Sequence, residues 1–504
     1  MSSARSVVLI SLLTPVGMLL GLASNWLIVR IFGLSPALDA YFVAYLFPTF
    51  IGGIIADFLG RNFIPTLDRM RVERGKKEID GYISTVISFA ILASIFGMAL
   101  LWLSLDVVVR LTAPGLDATH SELAVNMARI MSLAIVFFSV NTFHEYVHQA
   151  DRSFFKTQFV KLALPLTTLG AVIIYGKHAG EIVLAWAFLI AHGLIFLVML
   201  PGLGYRYKVS ITLRDPEVRS TIVSSGWLIL SGTLSRARGF IERYLASQIG
   251  PGAVSALALA ARISGPLQQG AALGMKVVAF RNASALVAAG RIEEAGRQSR
   301  QVVSIIIMLL TPVSLWLAAD ADLLVTLLFS GRHMTPGGLN MLTDATRGLL
   351  LATPLMAVAP ILSNLYFVLN RPMVVVIAAP ITLASYAFFI FLFYEPWGVL
   401  GIALATFAIF AIAFVTMTWH LSRLLRGFDL SILWPGVVRH SLLATACVWG
   451  VGQIIKTFTL PDIVTLGLDG GVGLVAYVGV LFILRDESLN VILKKLWRRN
   501  AVLS

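Results

Sequence analysis

The stretch from Tyr82 to Leu105 reads YISTVISFAILASIFGMALLWLSL and contains no charged residue. A run of this length and composition is typical of a transmembrane helix, because about 20 apolar residues cross the hydrocarbon core of a bilayer. Similar runs recur through the chain of 504 residues, of which 58% are hydrophobic and only 13% charged. Since soluble proteins carry about 25% charged residues, this composition excludes a soluble enzyme and a disordered protein.

Fourteen apolar segments account for most of the chain, and we interpret each as a membrane span. They lie near 6–33, 37–60, 82–105, 122–149, 155–176, 180–203, 218–249, 253–285, 301–330, 339–369, 372–394, 397–425, 433–457 and 465–484. The first is too long for a signal peptide and is interpreted as a retained span. The predicted fold class is an all-α polytopic membrane protein.

Basic residues concentrate in every second connection between these segments. The connection after the second segment contains Arg61, Arg69, Arg71, Arg74, Lys76 and Lys77, and the one after the sixth contains Arg206, Lys208, Arg214 and Arg219. The positive-inside rule then predicts that both termini are cytoplasmic. We attribute the net charge of +13 to contact with anionic lipid and predict no nucleic-acid partner.

The short connections and the residue content limit the chemistry that is possible. The single cysteine, Cys447, excludes an internal disulfide, and no GxxxxGK[ST] loop occurs for ATP. No connection is long enough for the extramembrane domain that membrane glycosyltransferases usually need. We therefore predict a protein that is not an enzyme and has no cofactor or metal.

Two pairs of sequence stretches indicate an internal repeat. Ile31–Ala40 (IFGLSPALDA) resembles Gln248–Ala256 (QIGPGAVSA), and Tyr146–Arg152 (YVHQADR) resembles Tyr366–Arg371 (YFVLNR). Six predicted spans separate the copies, so both have the same orientation, which predicts two lobes with the substrate between them. The predicted domains are an N-lobe over 1–215, a C-lobe over 216–426, and two extra helices with a cytoplasmic tail over 427–504.

Several short motifs occur in a characteristic order along residues 5–425. They are Arg30–Gly33 (RIFG), Asp39–Ala44 (DAYFVA), Asn62–Pro65 (NFIP), Glu242–Ser247 (ERYLAS), Leu328–Gly331 (LFSG) and Tyr366–Pro372 (YFVLNRP). Their joint order resembles the MurJ/MviN family of lipid II flippases, within the superfamily that also includes polysaccharide exporters and multidrug extruders. The resemblance implies fourteen spans and transport of a lipid-linked diphosphate saccharide.

The chain departs from this family at the positions expected to bind the diphosphate. Family members typically have arginines in the first two spans, but here Gly17–Ser24 reads GMLLGLAS, and Thr49–Gly53 reads TFIGG where a pair of arginines would be usual. The eleventh span, Pro372–Tyr394, lacks the acidic and amide side chains of the family's sodium site. The resemblance therefore does not carry over the first- and second-span arginines or the sodium site.

We predict that basic residues of the seventh and eighth spans bind the diphosphate instead. They are Arg236, Arg238, Arg243, Arg262 and Lys276, with Arg30 of the first span as a further cavity cation. Arg236 and Arg243 are seven residues apart and share a helix face. Arginine suits this role because its planar fork binds diphosphate oxygens bidentately and keeps its charge. The alternative for Arg236 and Arg238 is pairing with Glu242 or extension to the membrane interface.

Three acidic residues are candidates for gating or coupling. Asp39 opens the second span and matches an acidic residue of the family, so we predict a gate or a pairing partner at the outer end. The alternative is a carboxylate stabilised by the dipole of its own helix. Asp57 is predicted to bind a coupling proton or a cavity arginine, with a local pair to Arg61 as the alternative. Glu242 lies among the seventh-span cations.

The fourth span ends in His144–His148 (HEYVH), which matches the H-E-x-x-H pattern of zinc proteases. An intramembrane zinc protease is therefore an alternative function. The corresponding stretch of the second repeat, 364–371, has no such residues. We favour an interfacial polar cluster that can relay protons, and we predict no metal site.

The favoured function is a flippase that works by alternating access. It is predicted to move an undecaprenyl-diphosphate-linked saccharide, lipid II by resemblance, to the outer leaflet of a bacterial inner membrane. The predicted partners are this lipid-linked saccharide, membrane lipids and proteins of cell-envelope synthesis. Export of an exopolysaccharide or O-antigen unit is an open alternative. Drug extrusion is another, and it predicts an acidic, aromatic cavity.

Overall fold

The protein is all-helical in the parts that the structure describes. The computed structural model describes residues 3–150, 154–212, 216–458 and 460–491. It describes the backbone alone at 3–12, 57–62, 64–65, 150, 154–155, 159, 216, 218–228, 271–274 and 276–278. No strand occurs in these residues, which confirms the predicted fold class.

Fifteen helices follow one another along the described chain. They are α1 (Ser3–Phe32), α2 (Pro36–Glu73), α3 (Lys76–Thr112), α4 (Ala118–Ser132), α5 (Ala134–Ala150), α6 (Phe154–Ala179), α7 (Ile182–Met199), α8 (Pro216–Ile249), α9 (Ala253–Ala288), α10 (Ile292–Ala319), α11 (Ala321–Phe329), α12 (Pro336–Val368), α13 (Met373–Leu424), α14 (Leu430–Ile455) and α15 (Asp462–Ile483).

Turn and capping residues set where α2 and α14 begin. Gly33, with a φ of 64°, follows the end of α1 in the left-handed region that favours glycine. Ser35 then caps α2, because its Oγ accepts the N–H of Leu38 at 3.1 Å. Asp429 caps α14 in the same way, and hydrogen bonds from the hydroxyl and N–H of Ser431 lower the pKa of Asp429.

Most helices are long and apolar enough to cross a membrane. Among the described residues ten meet this requirement, or eleven if α4 and α5, which are bent by 40°, count as one span. Helix α8 is not among them, and it carries four charged residues between positions 236 and 243. The fourteen predicted spans are consistent with these helices, but their number stays a prediction.

Helix α13 holds two predicted spans in one element of 52 residues. A helix of that length would extend about 78 Å at about 1.5 Å per residue, more than twice the hydrocarbon core of about 30 Å. It is broken at Gly398, whose φ of 52° and ψ of −126° are not helical. A Cβ at position 401 would collide with the carbonyl oxygen of Phe393, so glycine is needed there for the backbone to turn.

One compact unit comprises Met1–Ala258, Gly331–Thr335 and Val376–Leu383. Within it α2 packs against α3, α4, α5 and α8, while α6 packs against α1 and α7. The ring of Phe63 lies 5.9 Å from that of Tyr82 and 4.3 Å from that of Phe143, which joins α2 to α3 and α5. Helix α2 is therefore the common packing partner in this unit.

The second compact unit comprises Leu259–Ser330, Pro336–Val375 and Ala384–Ser504. Within it α10 packs against α12, α14 and α15. Buried side chains such as Val303 and Leu362 form its apolar core. The boundary between the two units falls within α9, whereas the predicted lobes divide at 215. The predicted division into repeats stays a prediction.

Two buried acids and a lysine lie close together where α10, α14 and α15 meet. Asp320 and Asp469 are each 2% exposed, and Nζ of Lys456 lies 3.1 Å from Oδ1 of Asp320. Burial opposes the charge of Lys456, but the hydrogen bond and the charge of Asp320 outweigh it and raise the pKa of Lys456. Asp469 packs over Gly452, and neither of its oxygens accepts a hydrogen bond from a described residue.

Candidate functional site

Helices α2 and α8 pack closely through a glycine and aromatic rings. A Cβ at Gly239 would lie 3.1 Å from Cδ1 of Leu46, so the missing side chain permits this approach. The ring of Phe240 contacts those of Phe47 and Phe50, at centroid distances of 6.0 and 4.9 Å. This packing holds the charged part of α8 against the middle of α2.

Arg236 lies in the space beside Gly53. A Cβ at Gly53 would lie 2.5 Å from Nε and 2.8 Å from Cζ of Arg236, so any side chain at position 53 would displace the guanidinium. The neighbouring Gly52 is covered by the ring of Phe138 from α5. Both glycines belong to the stretch Thr49–Gly53, in which the resemblance implies a pair of arginines. A cation is therefore present at this point of α2, although it comes from α8.

Arg243 also reaches α2, two turns further along α8. Its Nε donates to the carbonyl oxygen of Phe42 at 3.2 Å, and its Nη1 donates to the carbonyl oxygen of Gly239 at 3.1 Å. The side chain is half-buried. These two hydrogen bonds orient the guanidinium toward α2, which gives Arg243 a role in positioning α8 whatever it binds in addition.

The other predicted cations have varied environments. Arg238 and Glu242 are half-buried on α8. Arg30 is exposed, and its guanidinium lies 4.8 Å from the centre of the Trp26 ring as a cation–π contact. Arg262 is half-buried on α9 and belongs to the second unit. Two predicted residues lie outside the described side chains, namely Asp57 and Lys276.

Asp39 caps a helix other than its own. Its Oδ1 accepts hydrogen bonds from the N–H and the Oγ of Ser255, at 2.7 and 2.5 Å, and its Oδ2 accepts one from the N–H of Gly252 at 2.6 Å. These donors belong to the start of α9, where a carboxylate is favoured by the exposed N–H groups and the helix dipole. Asp39 is only 2% exposed. It therefore pairs with the N-terminus of α9, and not merely with the dipole of α2.

The turn before α9 makes this cap possible. Gly250 and Gly252 have φ values of 149° and 88°, which residues with a side chain rarely adopt. A Cβ at Gly252 would lie 3.0 Å from the backbone oxygen of Leu34, so the turn also needs glycine for close approach. The sequence Gly-Pro-Gly thus directs backbone N–H groups toward Asp39.

The partners of these side chains were not predicted from the sequence. For Ser255 the sequence contained a signal, because it lies 216 residues after Asp39, close to the offset between the two stretches of the predicted repeat. Asp39 and Ser255 therefore occupy nearly equivalent positions of that repeat, and equivalent positions meet where two copies are related by a two-fold axis. The acceptor at Phe42 is a backbone carbonyl, which has no sequence signature.

The HEYVH segment forms hydrogen bonds within the first unit. Nε2 of His144 lies 3.0 Å from the hydroxyl of Tyr205, and burial raises the pKa of Tyr205 so that this phenol keeps its proton. Nε2 of His148 donates to the carbonyl oxygen of Met199 at 2.9 Å, which prevents this nitrogen from binding a metal. Among the described residues no third histidine, cysteine or acid completes a metal site.

We expect the purified protein to contain far less than one zinc ion per chain, and EDTA to leave its thermal unfolding midpoint unchanged. The physical reason is that His148 uses its Nε2 to donate to Met199. Elemental analysis and scanning calorimetry measure the two quantities. Stoichiometric zinc that disappears in a His144→Gln variant would support the protease alternative instead.

Comparisons with known proteins identify the family of the chain. The family model "Lipid II flippase MurJ" matches residues 28–467. The lipid II flippase MurJ of Burkholderia cenocepacia is 30% identical over 279 residues, covering 52% of this chain and 53% of that protein. A probable lipid II flippase MurJ of Rickettsia prowazekii is 21% identical over 374 residues, covering 73% of each. The chain thus aligns with about half the length of the Burkholderia relative.

Solved structures show the same fold. A structure titled "Lipid II flippase MurJ, inward closed conformation" superposes with a TM-score of 0.80 at 18% identity, covering 95% of this chain and 99% of that one. An inward-facing multidrug transporter of the MATE family superposes with a TM-score of 0.69 at 19% identity, covering 83% and 98%. Because the family model covers residues 28–467, the chain belongs to the MurJ family of lipid II flippases.

Proposed function

We propose that this protein moves lipid II from the cytoplasmic to the outer leaflet of a bacterial inner membrane. The observation that carries the proposal is Arg236 in the space beside Gly53. It supplies a cation beside the stretch Thr49–Gly53 of α2, in which the resemblance implies a pair of arginines. A diphosphate-linked cargo needs such a cation in a medium of low dielectric, where an unpaired anion is costly.

Two arginines of α8 are assigned different roles in this proposal. Arg236 is assigned the diphosphate, because its guanidinium lies directly beside Gly53 of α2. Arg243, about 10.5 Å further along the helix, positions α8 through its hydrogen bond to Phe42 and adds positive charge. Further proposed cargo-binding cations are Arg30, Arg238, Arg262 and Lys276.

The cap on α9 is proposed to act as a gate. The hydrogen bonds of Asp39 hold the N-termini of α2 and α9 together, at the end of α2 opposite its basic connection. Because basic connections favour the cytoplasm, the proposal assigns both ends of the chain to the cytoplasm. It assigns the N-termini of α2 and α9 to the outer side of the membrane. Alternating access then requires this contact to break when the outer side opens. Glu242 and Asp57 remain proposed coupling residues.

The membrane potential is proposed to return the empty carrier. An unloaded binding site with excess positive charge is drawn toward the negative cytoplasmic side, since one charge crossing 100 mV is worth about 2.3 kcal/mol. Bound diphosphate removes most of this charge, so the loaded carrier experiences a smaller force.

We expect the protein to restore growth to a bacterium depleted of its own lipid II flippase. The assay measures growth and the amount of lipid II accessible to a membrane-impermeant enzyme, with the protein quantified in the membrane. A suitable control is Arg129→Ala, which removes an exposed arginine 3.7 Å from Asp106 and should also restore growth. A well-expressed protein that leaves lipid II inaccessible would contradict the proposal and favour another polyprenyl-linked saccharide, because the stretch Thr49–Gly53 lacks the arginine pair that the resemblance implies.

A further inference from the structure

A small polar pocket lies in the second unit where α10, α14 and the segment after α15 meet. Its charged and polar lining includes Arg300, Arg439, His440, Glu487 and Ser488. Two arginines and one glutamate among these leave the lining with an excess of positive charge while His440 is neutral. The pocket is remote in sequence from Arg236 and plays no part in the proposed cargo binding.

Arg300 presents an unfilled hydrogen-bond donor to this pocket. The residue is only 5% exposed, and its Nε has no hydrogen-bond partner within the described part of the chain. Its Nη2 lies 3.6 Å from Oε1 of Glu487, whose side chain is 56% exposed. A buried charged donor without an acceptor is unfavourable. The pocket therefore favours a ligand with an anionic oxygen near this atom.

Asp486, the acid next to the pocket, already has an ion-pair partner and hydrogen-bond donors. Asp486 forms an ion pair with Arg439, and its Oδ1 accepts the N–H groups of Ser488 and Leu489. Asp486 is 1% exposed. It therefore fixes the position of Arg439 at the pocket, and its negative charge is balanced by that arginine.

His440 is held in one tautomer by a buried tyrosine. The hydroxyl of Tyr477 donates to the carbonyl oxygen of Met308 at 3.2 Å, so it accepts from Nδ1–H of His440 at 3.1 Å. Nε2 of His440 then has no hydrogen-bond partner among the described residues and lies 3.8 Å from Oδ2 of Asp486.

Apolar side chains line part of the pocket. Ile305, Ile432 and Val491 line it together with the polar groups. Ile432 is 45% exposed and lies in the first turn of α14, at the end of a helix long enough to cross the membrane. A charged pocket beside an exposed apolar side chain at a helix end fits an amphiphile with an anionic head and acyl chains.

We propose that this pocket binds the phosphate of an anionic phospholipid. Nε of Arg300 and the guanidinium of Arg439 donate to the phosphate oxygens, and an acyl chain lies along Ile432. A bound lipid would join the end of α10 to α14 and to the segment after α15. Inorganic phosphate shares the head-group chemistry but has no acyl chain to contact the apolar side chains of the pocket.

The test is a titration of the full-length protein in detergent with phosphatidylglycerol, followed by native mass spectrometry. We expect Arg300→Gln to weaken binding about tenfold or more, because it removes charge-assisted hydrogen bonds. Arg297→Gln is the matched control, since Arg297 is exposed on the same helix and pairs with Glu293 at 2.9 Å. It should bind the lipid as the wild type does.

Two further binding measurements distinguish the possible ligands. Phosphatidylcholine should bind much more weakly than phosphatidylglycerol, and excess inorganic phosphate should not compete. If Arg300→Gln fails to fold, Arg300→Lys, which keeps the charge but loses the planar fork, and Arg439→Gln must each weaken binding. The proposal is overturned if these variants bind like the wild type. It is also overturned if Arg297→Gln weakens binding equally, or if free phosphate displaces the lipid.

Discussion

Replacing Arg236 with alanine is expected to slow transport of lipid II about 100-fold or more, and adding Gly53→Arg to that variant is expected to restore most of the loss. A bidentate contact between arginine and diphosphate contains two charge-assisted hydrogen bonds of about 1.5–3 kcal/mol each. The rescue follows from geometry, because removal of the Arg236 side chain vacates the space that a side chain at position 53 would enter.

The measurement is the rate at which lipid II becomes accessible at the outer leaflet, normalised to the protein in the membrane. Gly53→Arg alone is the informative single variant, since it forces two guanidinium groups into one space and should impair transport. Arg129→Ala should behave as the wild type. Normal transport by Arg236→Ala, or no rescue by the second substitution in a well-expressed protein, would show that Arg236 does not bind the cargo.

Replacing Asp39 with alanine is expected to destabilise the protein by about 3 kcal/mol or more. The substitution leaves the N–H of Gly252 and both donors of Ser255 without their buried acceptor, and each lost partner costs about 1–3 kcal/mol. Asp39→Asn should lie between alanine and wild type, because its amide oxygen still accepts while its NH₂ opposes a donor. Denaturation in detergent, followed by tryptophan fluorescence, measures the change.

The matched control for Asp39 is another capping aspartate. Asp117 caps α4 through the N–H of His120, and that hydrogen bond lowers the pKa of Asp117, but the carboxylate is exposed to solvent. Its replacement by alanine should therefore cost much less. A Ser255→Ala variant should lose most of its effect in an Asp39→Ala background, because the two residues share one interaction. Equal losses for Asp39→Ala and Asp117→Ala would contradict this account.

The helical fold was predictable because it depends on composition. Uncharged runs such as Tyr82–Leu105 must form helices in a membrane, where every backbone group needs a partner within its own segment. The break in α13 was predictable as two spans, since a single helix would be too long. The bounds of the compact units could not be predicted, because they depend on contacts between helices that are far apart in the sequence.

Only part of the candidate site could be predicted from the sequence. The lack of arginine in the stretch Thr49–Gly53 and the surplus of cations in the seventh span are both properties of single segments. The contact between Arg236 and Gly53, by contrast, joins two helices that are nearly 200 residues apart in the sequence. Without an atomic position for the guanidinium, Arg236, Arg238 and Arg243 were equivalent candidates.

The buried acid of α15 has a consequence for how the chain is assembled in the membrane. An aspartate inside an otherwise apolar helix raises the free energy of insertion by about 2.5–3.5 kcal/mol when the helix enters lipid alone. Asp469 lies next to Asp320 and Lys456, which are both synthesised earlier. Helix α15 should therefore integrate at lower cost beside an α10 and α14 that are already in place. Biogenesis then depends on the order in which these helices leave the translocon.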